Sequence, residues 1–244
     1  MNHDQQRRQL ALLRPLNQKH LDASPYEEEV GARIESFALA YRMQSAAPEA
    51  LAVDQEPEHI QKLYGLDDDK CKHIASQCLT ARRMIERGVR FVQIYSGGME
   101  NQRSWDGHSD IKGNHSQFAA ETDKPVAGLI ADLAQRGLLN ETLIVWGGEF
   151  GRTSDSQGNG TGRDHNPNAF TMWFAGGGIK GGAQYGRTDD FGYEAIENRT
   201  SVHDLHATVL HLMGLDQEKL TYHHNGRDFR ITDIAGNLIH DILG

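Results

Sequence analysis

Three short runs of β-branched and aromatic residues punctuate the second half of the chain. Val89 to Tyr95 (V-R-F-V-Q-I-Y) stops at Ser96-Gly97-Gly98, Leu143 to Trp146 runs into Gly147-Gly148-Glu149, and Phe170 to Ala175 (F-T-M-W-F-A) ends in Gly176-Gly177-Gly178. Each predicts a strand closed by turn residues. Elsewhere the apolar spacing is helical. Ser24-Pro25-Tyr26-Glu27 is a capping box with proline at the first helical position, and Val30, Ile34, Phe37, Ala38 and Tyr41 then share one face down to about Gln44, before Ala47-Pro48. A short helix closes at Tyr64-Gly65, and the next, charged at its start by Asp67-Asp68-Asp69, aligns Cys71, Ile74, Ala75, Cys78 and Ile85 and stops at Gly88. A further helix spans roughly His115 to Arg136, with Pro125 either kinking it or marking its first turn, and the last opens at Ser201 and stops at Gly214.

Strand, helix, strand, long loop, strand is the order of an α/β fold, a mostly parallel sheet flanked by helices. Residues 1–88 read as a helical segment packing on that sheet and 89–244 as the α/β part. The tail has turn chemistry at Asn225-Gly226 and ends in a short strand or ordered coil.

Composition narrows the class. At 244 residues, 38% hydrophobic and 24% charged, the chain has ordinary globular proportions. A formal charge of −9 argues against a nucleic-acid partner, which requires a basic face for phosphates. No apolar run is long enough to span a bilayer and the first residues lack a signal-peptide core, so the chain as written reads as cytoplasmic. Cys71 and Cys78 would sit roughly 10 Å apart on one helix, too far for a disulfide, and read as small buried hydrophobes.

Candidate chemistry gathers after the first two predicted strands. Asp106 and His108 follow the first; Glu149, then Asp164 and His165, follow the second. In a parallel sheet these carboxyl ends share one edge, so the loops can converge on a divalent cation, or on two. Turn and cap roles for Asp106 and Asp164 are the plain alternative. Arg152 and Arg163 flank the region as clamps for an anionic substrate, with surface ion pairs as their ordinary alternative. The glycines from Gly176 to Gly182 lack the Gly-Lys-Ser/Thr of a phosphate loop and read as a turn. Asp204 stands three residues after Ser201, where it caps a helix. His211, His223 and His224 have no chelating spacing, and no G-x-S-x-G elbow is present.

The succession G-G-E-F-G-R-T, G-R-D-H, A-G-G-G-I-K-G-G and H-D-L-H-A-T-V-L-H-L-M-G, with A-R-I-E-S-F-A-L-A-Y-R-M-Q and S-W-D-G-H upstream, resembles an uncharacterised bacterial family of sulfatase-like proteins. That family is similar in turn to the alkaline phosphatase superfamily. The resemblance implies a metal site with Glu149 at the strand end, His165 before the next strand and the Asp106/His108 loop upstream. Phe150 stands where the wider superfamily has a second ligand histidine. It also implies an early nucleophile-bearing strand, and the first predicted strand here begins only at Val89. The chain therefore looks like a C-terminal part of the family's fold, completed by a missing N-terminal portion or by oligomerisation, and full-length relatives are expected to be exported. The function implied is metal-dependent hydrolysis of a sulfate or phosphate ester, on a small anionic ester or a sulfated or phosphorylated glycan. Zinc is the first choice of metal, with manganese, magnesium or calcium as alternatives. A non-catalytic binding or assembly module is the competing expectation.

Overall fold

The computed structural model describes residues 3–23, 28–97 and 104–244, and the chain forms two compact units, Met1–Gln55 and Glu56–Gly244. The Ser24 to Glu27 capping box and Gly98 lie outside the described residues. In the first unit, α1 (His3–Ala23) is a helix that apolar spacing did not predict. Its Gln, Arg, Leu and Ala content supplies propensity in place of a buried stripe. α2 (Glu28–Leu51) runs through Pro48 instead of stopping before it. One lost backbone bond in a terminal turn is a tolerable cost for a helix of that length.

In the second unit, three helices build the main core: α3 (Glu58–Tyr64), α4 (Lys72–Glu86) and α5 (Ile111–Gln135). α3 ends at Gly65, in the left-handed region at φ 89°. α5 approaches that end so closely that a Cβ on Gly128 would lie 2.7 Å from the Leu63 carbonyl oxygen. Tyr64, Ala75, Leu79 and Leu133 fill the space between, each at most 1% exposed. Both cysteines are buried and free, and burial pushes the Cys78 thiol up to about 12, so it is a packing group and not a nucleophile. α5 starts earlier than its spacing suggests because Asp110 caps it, accepting from Gly113 N at 3.0 Å, and it carries Pro125 in its interior.

This apolar core encloses ions. Arg82, 2% exposed, lies 2.9 Å from both Glu56 and Asp132 and donates to Glu86 at 2.7 Å. Asp132, 1% exposed, also accepts from the Tyr64 hydroxyl at 2.9 Å and from Arg136 Nε at 2.7 Å. Burial opposes ionisation of Glu56, yet Arg82 and Arg83 hold its carboxyl below the ordinary value. Burial and the Asp132 charge push the Tyr64 phenol up.

The strands differ from the predicted parallel sheet. Among the described residues the four ladders are antiparallel pairs: β1 (Ile144–Trp146) with β4 (Trp173–Ala175), β2 (Gly151–Gln157) with β3 (Gly162–Asn166), β5 (Arg187–Thr188) with β6 (Ala195–Glu197), and β7 (Thr221–His224) with β8 (Arg227–Arg230). Val89 to Tyr95 forms no ladder among the described residues, and only the last three residues of the Phe170 to Ala175 run are a strand. β-branched composition describes residues suited to a pleated surface and does not supply the neighbour that makes a strand. The architecture is therefore mixed α/β with short antiparallel pairs.

The last helix, α6 (Val202–Leu212), has a full capping box: Ser201 Oγ accepts from Asp204 N, and the Asp204 carboxylate accepts from Ser201 N. The same carboxylate takes the Asn237 amide at 2.7 Å, pinning the C-terminal tail to the helix start. The β7–β8 turn places Asn225 and Gly226 at φ 49° and 77°, the left-handed pair that a two-residue hairpin requires. Gly176 is a packing turn, since a Cβ there would lie 2.3 Å from the Leu139 carbonyl oxygen. No helix among the described residues is long and apolar enough to cross a membrane.

Two outcomes follow from these anchors. Asp132→Ala strands the Tyr64 hydroxyl in the core and removes one of three carboxylates from Arg82, leaving Glu56 and Glu86, and denaturant unfolding should register a loss of roughly 1–3 kcal/mol. At Asp204, partial burial raises the carboxyl, but amide and hydroxyl bonds from Asn237 and Ser201 outweigh it and hold it below the ordinary value. A depressed folded value gives stability that is present above the unfolded value of about 3.9 and is lost as pH falls through the folded one. Asp204→Ala should then cost about 1–2 kcal/mol at neutral pH, with the difference from the parent vanishing in thermal melts at strongly acidic pH.

Candidate metal centre

Two backbone segments meet at the site, and glycine makes the meeting feasible. A Cβ on Gly162 would lie 1.8 Å from the His108 carbonyl oxygen, and one on Gly158 would lie 2.9 Å from the same atom. With those side chains absent, the loop from Ser104 to Asp110 lies along the β2–β3 hairpin. Arg163 N donates to Gly107 O at 2.8 Å, Ile111 N donates to Thr161 O at 3.1 Å, and the Thr161 hydroxyl donates to Ser109 O. Arg152 closes the clasp from β2, donating to the Trp105 carbonyl at 2.8 Å and to the Arg163 carbonyl at 3.2 Å.

Trp105 enters the loop at φ 60°, a conformation that bulky residues rarely adopt. Its indole N–H donates to Ser96 Oγ at 3.0 Å, and its ring packs near His115, Phe118 and Trp146, with centroids 5.6, 5.7 and 6.2 Å away. The turn at Trp105 aims the next residues at the hairpin.

There Asp106, His108 and His165 come together, each offering a ligand atom within 4.8 Å of the other two. They are the one such group of three among the described residues. Asp106 contacts His108 Nδ1, and its carboxylate lies 3.9 Å from Arg152 Nη2. Partial burial works against the Asp106 charge, but His108 first and Arg152 second hold the carboxyl below its ordinary value. The carboxylate is therefore ready as a ligand. Asp106 and His108 are 42% and 34% exposed at the side chain, so the group opens to solvent.

The other candidates are placed differently. Asp164 stands beside the group, 3.7 Å from His108 Nε2, and its Oδ1 accepts from His165 N at 2.7 Å. Glu149 sits in the exposed bend between β1 and β2, with no hydrogen bond or ion pair among the described residues. Arg152 has its Nη atoms committed to two carbonyls and its guanidinium 5.5 Å from the Phe150 ring. Arg163 donates to the Gly162 carbonyl at 2.7 Å. His223 belongs to the β7–β8 hairpin, paired with Asp228 at 2.7 Å.

Two contributors were not visible in the spacing of acids and histidines. Gly162 opens the G-R-D-H stretch, and the signal was the glycine directly before three polar residues. Phe150 stacks on His165 with ring centroids 3.7 Å apart and planes inclined by 26°. A carboxylate and two imidazoles form a donor set suited to zinc and other first-row divalent ions, so these residues fit a bound cation.

No curated protein and no solved structure is matched by the chain. Residues 1–243 match the family model described as "Protein of unknown function (DUF1501)", and the chain belongs to that family.

Proposed function

We propose that Asp106, His108 and His165 hold a divalent cation, zinc in the first instance, and that the chain is part of a hydrolase acting on sulfate or phosphate esters. The observation that carries this is the convergence of three ligand-type side chains from two segments more than fifty residues apart in sequence. The resemblance to sulfatase-like and phosphatase-like sequences adds the ester chemistry and the alkaline phosphatase-like architecture as parts of the proposal. Such a cation polarises an ester oxyanion as a Lewis acid. Asp106, kept ionised by His108 and Arg152, contributes the negative charge. Arg152 lies near enough to Asp106 for its unused N–H groups to orient an anionic ester, with Arg163 as the second cation of the hairpin. Asp164, 3.7 Å from His108 Nε2, adds a second negative charge beside the cation.

One observation favours a second reading. Glu149 stays in solvent and the aromatic ring of Phe150 faces His165, leaving a three-donor site suited to a single ion. Such a site also serves a non-catalytic module that binds an anionic glycan through its metal.

Chelator-stripped protein titrated with zinc should take up one ion per chain, measured by elemental analysis after gel filtration and by competition with a chromophoric chelator. Asp106→Ala and His165→Ala should each weaken uptake at least about tenfold. An unmetallated wild type under saturating zinc would sink the proposal. Gly162→Ala removes no ligand atom, yet should weaken the same affinity comparably, because the His108 backbone must retreat; circular dichroism would show the helices intact. Turnover of aryl phosphate or aryl sulfate by the loaded protein, lost in Asp106→Ala, separates the hydrolase from the binding module.

A further inference from the structure

The geometry points to Phe150 as the positioning residue that fixes the orientation of the His165 ring. This rests on the metal reading for its purpose, though not for its geometry. A metal-ligating histidine ordinarily has its second ring nitrogen bound to a carboxylate or carbonyl, which fixes its plane and tautomer. His165 has no such partner: among the described residues neither ring nitrogen makes a hydrogen bond, and the residue is exposed. His108, by contrast, is held by Asp106 at Nδ1.

Rings hold His165 instead. Phe150 covers it at 3.7 Å between centroids, nearly parallel, and His108 approaches at 4.5 Å with planes inclined by 54°. The arrangement follows from hairpin register. Arg152 pairs directly with His165 across β2 and β3, so the two side chains project from one face. Phe150, two residues before Arg152, reaches the same face at the diagonal position. The Arg152 guanidinium lies 5.5 Å from the Phe150 ring and is tied to two carbonyls, so the stack has a fixed backing. Gly151 lets the chain turn into β2 against its neighbour: a Cβ there would lie 2.3 Å from the Ala169 carbonyl oxygen.

An exposed imidazole free to rotate loses side-chain entropy when it binds an ion, whereas a stacked one has already lost it. Phe150 thus does by stacking what a hydrogen-bonded carboxylate does elsewhere. It also occupies the space beside His165, restricting the group to one ion.

The test compares wild type, Phe150→Leu and Phe150→Tyr, each confirmed folded by circular dichroism. In the metal-free protein, the His165 ring protons should be shifted upfield by the Phe150 ring current in proton NMR, assigned by their loss in His165→Ala. Phe150→Leu should return them toward random-coil positions, while Phe150→Tyr keeps them upfield. In zinc titrations Phe150→Leu should bind roughly tenfold more weakly and Phe150→Tyr within about twofold of wild type. Unshifted His165 protons in the wild type overturn the inference, as does equal zinc affinity in Phe150→Leu and wild type. An upfield His165 in a wild type that binds no zinc establishes the positioning and overturns the metal reading alone.

Discussion

The carbonyl oxygen of His108 occupies the space that any side chain at residue 162 would fill, 1.8 Å from the position of a Cβ. Every other feature of the candidate site depends on that approach. With glycine at 162, the loop can bond to the hairpin through Arg163, Thr161 and Arg152. Those bonds offset the unfavourable backbone at Trp105, which at φ 60° costs on the order of 1–3 kcal/mol. Arg152 accounts for much of this, because it binds the carbonyl of the strained residue itself. The strain has a local result: a regular extended loop would carry Asp106 and His108 past the hairpin, and the turn at Trp105 points them at it.

The loop is held at its other end by the helical core. α5 begins one residue after Asp110, and its first amide, Ile111 N, donates to the hairpin at Thr161. Whatever fixes α5 therefore fixes the loop. That is the work of the Arg82 cluster, in which a guanidinium on α4 meets Asp132 on α5 and Glu56 before α3. Desolvating these ions is expensive, and an apolar replacement of equal volume would pack with less penalty. The cluster supplies direction instead, since Asp132 accepts from Tyr64 and Arg136 and lies 2.9 Å from Arg82 Nε in one rotational setting of α5. A purely apolar face would tolerate several.

Helices were legible where apolar spacing or caps were strong. The Tyr64-Gly65 stop, the Ser201/Asp204 box and the Asn225-Gly226 turn all depend on a few neighbouring residues, and a sequence displays its neighbours. Arg82 was not legible as a core residue. Its partners lie 26 and 50 residues away, at Glu56 and Asp132, and an arginine in a helix reads as solvated until they are known. The strand pairing failed for the same reason. Leu143 to Trp146 and Phe170 to Ala175 carry strand composition, but direction and partner are set by contacts at long range, and β1 met β4 in antiparallel sense. α1 was missed because it has helix propensity without periodicity.

The candidate site residues, in contrast, were named through a parallel sheet that the described residues do not form, and some of them still meet for a different reason. In a parallel sheet, ligands come from loops beyond two strand ends on one edge. Here Asp106 and His108 come from the approach to a helix N-terminus, and His165 lies on the return strand of a hairpin. Glu149, which the parallel geometry would have made the leading ligand, is left in the exposed bend after β1, whose ladder is separate from β2 and β3. Its neighbour by one residue, Phe150, is the one that reaches His165. Successive residues along an extended chain project to opposite faces. Phe150 and Arg152, two residues apart, therefore reach the face directed at His165, while Glu149 lies back in the bend before them.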